Sequence, residues 1–201
     1  MEISESNLKF VFNDNVEAIK FDNSEFYTKR FNSLPEGKGV DIILDCTSCC
    51  QLIEIKNCTG HESENMWRTV PDNKKGVKAP TNKSGVPRES LDIEVSKKVA
   101  STIACLYGAY TESDRVSLAS DLNKWWQAMT DSRIASMEKS LIIVLFLEGH
   151  FDITNSKTRN KKMMMQALQR SIRRKLSWLN CRVSVVDTDT YTKQYFTVKH
   201  E

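Results

Sequence analysis

The sequence has no apolar run long enough to cross a bilayer. The longest, 141–147, falls far short of the roughly 20 residues that a spanning helix needs. Its opening residues, Met1, Glu2, Ile3, Ser4 and Glu5, lack the basic start and apolar stretch of a secretory signal, so a cytoplasmic protein is expected. An excess of charge of one sign is also missing: a formal net charge of +3 does not announce a nucleic-acid partner, and only local clustering can. Internal repeats are absent, and 201 residues with 40% hydrophobic content can bury a substantial core, so one domain over 1–201 is expected. Cys46, Cys49, Cys50, Cys58, Cys105 and Cys181, in a chain read as unexported, are expected to be reduced thiols. Cys46 and Cys49 have C-x-x-C spacing, but no second such pair and no well-placed His pair completes a zinc site. Small buried thiols in a hairpin turn are the expected reading.

What is present is an interleaving of strand and helix patterns. Alternation over 8–12 and a short run over 16–21 predict two strands, which could pair as a hairpin. Phe26, Tyr27, Phe31 and Leu34 recur at helical spacing behind a cap at Asn23 or Ser24, and Pro35 and Gly37 close the helix. Two β-rich runs, 40–44 and 52–56, flank a polar turn and predict a hairpin. The stretch 57–88 holds three of the four prolines and reads as a long polar loop. Helices are predicted over 89–110, 114–129 and 157–178, a strand buried on both faces over 140–147, and a last strand over 183–186. The fold class is therefore α/β: a mixed central β-sheet flanked by helices.

The chemistry concentrates in the predicted hairpin. Period-two alternation puts Glu54 and Lys56 on one face of their strand, with Ile53 and Ile55 on the other. Asp41 opens the partner strand just after Gly39, where the glycines leave room for a ligand. Asp41 and Glu54 together make a hard oxygen site suited to Mg²⁺ or Mn²⁺, and the backbone carbonyl of Ile55 could add a further ligand. Such a cation polarises a scissile phosphate and acidifies a bound water, while Lys56 orients that water or offsets charge developing on phosphorus. The bland alternative is a solvated strand face with a weak surface ion pair, against which the flanking apolar residues weigh.

Asp41, then Glu54-Ile55-Lys56 on the next strand, resembles the signature of the PD-(D/E)xK nuclease superfamily, with its restriction-endonuclease-like fold. The flanking stretches, Lys38-Gly39-Val40-Asp41-Ile42-Ile43 and Leu52-Ile53-Glu54-Ile55-Lys56-Asn57-Cys58, resemble a group of uncharacterised bacterial proteins within it. Val40 stands where the fuller pattern has proline. The resemblance implies a metal-dependent nuclease acting on DNA or RNA, as a homodimer in many members. It also implies a lysine facing the site from the following helix, here Lys98, and an auxiliary acid from the preceding helix, here Glu25 with Glu17 second. Weaker likeness extends to Glu94, Val99, Thr102 and the stretch 175–179.

Two basic elements favour nucleic acid. Lys157, Arg159, Lys161, Lys162, Arg170, Arg173, Arg174 and Lys175 cluster on one predicted helix and could track a phosphate backbone, or simply form a solvated face. Lys74, Lys75, Lys78, Lys83 and Arg88 make the long loop basic as well. His61 could act as an auxiliary proton carrier, although an idle loop residue is the commoner case. Trp125 and Trp126 could stack on bases, but on an amphipathic helix aromatics more often pack in the core. The expectation is a Mg²⁺-dependent nuclease, with an inactive nuclease-fold binding protein as the alternative.

Overall fold

Residues 1–35, 37–73, 89–151 and 161–201 are described by a computed structural model. In chain order they form β1 (Glu2–Glu5), β2 (Leu8–Phe12), β3 (Glu17–Lys20), α1 (Glu25–Lys29), β4 (Ile42–Asp45), β5 (Cys49–Asn57), α2 (Glu62–Asn65), α3 (Leu91–Glu112), α4 (Ser117–Met129), α5 (Ser132–Ala135), β6 (Ser140–Glu148), α6 (Lys161–Lys175), β7 (Arg182–Val186) and β8 (Phe196–His200). The strands build two sheets, β3-β4-β5-β6-β7 and β1-β2-β8. The larger one is mixed: β3, β4 and β5 pair antiparallel, whereas β5, β6 and β7 run parallel. The parallel joins are crossovers, one through α3, α4 and α5 and one through α6, as parallel pairing requires.

Alternation along β5 explains the layers. Cys50 and Leu52 face a core shared with α1, α3, α4 and α6, while Cys49, Ile53 and Ile55 face a second core beneath the small sheet. Leu141, Ile143, Leu145 and Leu147 of β6 follow the first, and Val144 and Phe146 the second. Both faces of β6 are thus apolar, as predicted for an interior strand. The α/β expectation holds, with one change: helices cover one face of the mixed sheet, and the other is covered by β1, β2 and β8.

That second sheet accounts for three departures from the sequence reading. β2 and β3 do not pair with each other but belong to different sheets. β2 instead forms a hairpin with β1 through Ser6 and Asn7, both left-handed at φ 54 and 60, the conformation a two-residue hairpin loop favours. β8, beyond the strand predicted to be last, pairs with β2 from Leu8↔His200 to Phe12↔Phe196 and sets Phe196 against Phe10 and Tyr191.

The stretch predicted as a polar loop is also more ordered than expected. Residues 57–73 include α2 and 3-10 turns at Met66–Thr69 and Pro71–Asn73, with Trp67 and Thr69 buried. The basic positions Lys74, Lys75, Lys78, Lys83 and Arg88 lie outside the described residues, as do Lys157 and Arg159. Among the described residues no helix is long and apolar enough to cross a membrane.

Candidate active site on the central sheet

Asp41 stands just before β4 and is held by its neighbours. Val40 N–H donates to Thr102 Oγ1 at 2.9 Å, and Gly39 N–H donates to the Tyr27 hydroxyl at 3.1 Å. Asp41 N–H donates to the Ile53 carbonyl at 3.1 Å, and the Asp41 carbonyl accepts from Phe21 N–H at 2.8 Å. Gly39 has a different purpose from the one expected. A Cβ there would lie 2.4 Å from the Phe21 ring, so its missing side chain admits an aromatic packed beneath the strand and not a ligand.

The β4–β5 register pairs Ile42 with Ile53, and carried one residue further it sets Asp41 opposite Glu54. Both side chains then point to the helical face, toward α3. Glu54 is fully buried, which excludes the solvated-face reading. From α3, Lys98 Nζ lies 2.6 and 2.8 Å from the two Glu54 oxygens and 3.4 Å from Asp41 Oδ1. Lys56 Nζ lies 2.8 Å from Glu54 Oε1 and 2.9 Å from Glu94 Oε1, and Arg68 pairs with the other Glu94 oxygen. Asp41 Oδ2 accepts from Ile55 N–H at 2.6 Å. Three carboxylates and three cations thus interlock.

Burial decides how these groups hold protons. It pushes the Glu54 carboxyl up to about 7, with the Asp41 charge adding to the rise and Lys56 and Lys98 opposing it. Burial is the largest single influence at Lys56 and Lys98 and works against their charged forms, but Glu54 with Glu94 at Lys56, and Glu54 with Asp41 at Lys98, together outweigh it and hold both ammoniums above their ordinary range. At Glu94 burial is outweighed by Lys56 and Arg68, which hold its carboxyl down at about 2. A group able to change protonation near neutrality thus sits between two permanent cations.

Asp41, Glu54, Lys56 and Lys98 are brought together, and Lys98 came from family resemblance alone. Ile55 takes part through its N–H, whereas a metal ligand would be its carbonyl. Glu25 is not brought in: on α1 it is exposed and pairs with Lys29 at 3.2 Å. Glu17 is likewise exposed, 3.0 Å from Lys124. His61 faces Glu64 at 3.7 Å on the surface. No sequence pattern marks Arg68 or Asp22, and Glu94 carries only the weaker family likeness. Asp22, in the 3-10 turn after β3, has a buried Oδ1 without a hydrogen-bond partner among the described residues, and burial together with the Asp41 charge raises its pKa. The one available signal for Glu94 was its i,i+4 spacing from Lys98 on a helix.

On α6, Lys162, Arg170, Arg173 and Arg174 are exposed, opposite the buried Met164, Leu168 and Ile172. Lys161 pairs with Asp187, and Arg174 with Asp72 at 2.7 Å. Cys49 and Cys50 face opposite sides of the sheet, so the cysteines of this hairpin do not all converge on one point. Trp125 is core, and Trp126 stacks on Tyr110.

Residues 24–200 match the model of a family described as a family of unknown function (DUF6661). The chain belongs to that family. No curated protein and no solved structure matches it. In this family member, no group of three or more His, Cys, Asp or Glu among the described residues is arranged to hold a metal ion. Asp41 and Glu54 nevertheless offer two hard carboxylates at one point, which suits Mg²⁺ or Mn²⁺ in kind, and a cation, the Lys98 ammonium, already contacts both.

Proposed function

We propose that this chain is a metal-dependent nuclease of PD-(D/E)xK type, with Asp41 and Glu54 as metal ligands. The observation that carries the reading is the placement of Asp41 opposite Glu54 on adjacent strands, both buried, with the partly buried Lys56 on the same face. Charges concentrated beside an interior sheet usually serve chemistry. Bound there, Mg²⁺ or Mn²⁺ would polarise the scissile phosphate and lower the pKa of a coordinated water.

The chain's own groups complete the site. Lys56, oriented by Glu54 and Glu94, presents a permanent positive charge that offsets charge developing on phosphorus. Lys98 keeps the two carboxylates close by neutralising their repulsion. Asp22 is a better auxiliary acid than Glu25, because its buried oxygen feels the Asp41 charge. Lys161, Lys162, Arg170, Arg173 and Arg174 give α6 a basic face for a DNA or RNA backbone. A cytoplasmic location and a homodimer go with this reading.

A second reading has its own support. Lys98 stands in contact with both would-be metal ligands and balances the cluster, as in a nuclease fold that binds nucleic acid or a protein without cutting. Cleavage of mixed DNA and RNA substrates with Mg²⁺ or Mn²⁺ separates the two. Cutting by the wild type, abolished in Asp41→Ala and Lys56→Ala with both still folded, supports the nuclease. Absence of wild-type cutting, with binding unaffected by EDTA and by Asp41→Ala, supports the binding protein.

A further inference from the structure

The tight turn joining β4 to β5 carries two cysteines at the opposite end of the hairpin from Asp41 and Glu54. The ladder pairs Asp45 with Cys50, and one residue further it sets Cys46 opposite Cys49, where Cys46 N–H donates to the Cys49 carbonyl at 2.9 Å. Both side chains pack on the core between the two sheets, and their sulfurs are 3.3 Å apart. Opposed residues of an antiparallel pair have Cα atoms about 4.5–5.5 Å apart. A disulfide accepts about 4.4–6.8 Å, so these thiols can join by side-chain rotation without moving the backbone.

The two thiols are unequal in reach. Cys46 is half-buried at the tip, with the Ser48 hydroxyl 3.5 Å from its sulfur, whereas Cys49 is buried and accepts from the Gln51 amide at 3.3 Å. Burial opposes ionisation at Cys46, but contacts with Ser48 and Cys49 outweigh it and lower its pKa, while burial pushes Cys49 up to about 11. The accessible thiol is the better attacking group and the buried one is placed to follow. Cys50 faces the other core, and Cys58, Cys105 and Cys181 are free thiols.

We propose that Cys46 and Cys49 form a reversible dithiol–disulfide couple, exchanging with low-molecular-weight disulfides of the glutathione class. Cys46 gives up its proton, and its thiolate attacks one sulfur of the small disulfide, breaking that S–S bond and releasing a thiolate that takes a proton. Cys49 then loses its proton and attacks the Cys46 sulfur of the mixed disulfide, forming the Cys46–Cys49 bond and expelling the second small thiol. Two protein thiols are oxidised and one small disulfide is reduced to two thiols. This couple is independent of the nuclease reading.

The test treats the full chain with glutathione disulfide, quenches with acid, alkylates the remaining thiols and maps the peptides by mass spectrometry. The expected result is a Cys46–Cys49 link, removed by dithiothreitol, with the other four cysteines alkylated. Cys49→Ser should stop at a stable glutathione adduct on Cys46. Recovery of both Cys46 and Cys49 in alkylated form from the treated wild type would overturn the proposal, whether or not the variant folds. So would an adduct on wild-type Cys46 that never resolves.

Discussion

Lys98 and Glu54, 44 positions apart in the chain, meet in a two-point contact of 2.6 and 2.8 Å, where a helix lays an ammonium across a fully buried strand carboxylate. Asp41 touches the same ammonium from the neighbouring strand. Taking away the cation would leave two carboxylates facing each other away from water. Lys98→Met should therefore lose about 3–5 kcal/mol of unfolding free energy in urea titration. Adding Glu54→Gln to it should restore part of the loss, since the pair couples and the double mutant no longer sets two buried carboxylates against each other. A double mutant no more stable than Lys98→Met would show that the two side chains are not energetically coupled.

The protonation of Glu54 sets a pH dependence of stability. Its carboxyl rises from 4.5 to about 7 on folding, so the native state binds this proton more tightly than the unfolded chain. That contribution is complete below about 4.5 and is lost as pH rises through about 7. Glu54→Gln should flatten the decline of stability across this window in thermal melts run at stepped pH.

Glu94 acts in the opposite sense. Its carboxyl falls from 4.5 to about 2 on folding, so its stabilisation is present above about 4.5 and is lost as pH falls through about 2. Glu94→Gln should cost on the order of 2–3 kcal/mol at neutral pH and little in strong acid. An equal loss at both ends, measured by denaturant titration, would mean that Glu94 matters for packing and not for charge.

Gly39→Ala probes the support beneath Asp41. Its new Cβ would meet the Phe21 ring at 2.4 Å, and Gly39 has no left-handed backbone to add strain, so the cost is steric. Overpacking of this kind costs about 1–3 kcal/mol, read as a lowered melting temperature. Phe21→Leu in the same chain should relieve part of it.

The basic face of α6 is tested by salt. Lys162, Arg170 and Arg173 are exposed, so replacing all three with alanine should leave the fold intact. If they neutralise phosphates, nucleic-acid binding should weaken, and the slope of log K against log salt should shrink by about 1 for each phosphate left without its cation. An unchanged slope would reduce the stripe to a solvated helix face.

Hydrophobic periodicity made the main elements legible in the sequence. The hairpin of β4 and β5, the interior strand β6 and the stripe of α3 each bury a repeating face that short-range pattern records. The same alternation put Glu54 and Lys56 on one face and named Asp41 as their neighbour. Non-local pairing decided the rest. β8 is a strand because it pairs with β2 from the far end of the chain, and nothing nearby in sequence encodes that ladder. Arg68 joins the site from a 3-10 turn and Asp22, on another, feels the Asp41 charge, while Glu25 on the expected helix turns to solvent. Local pattern tells which face a side chain occupies; only tertiary packing decides which distant charges share that face, because buried ions must find partners wherever the fold brings them.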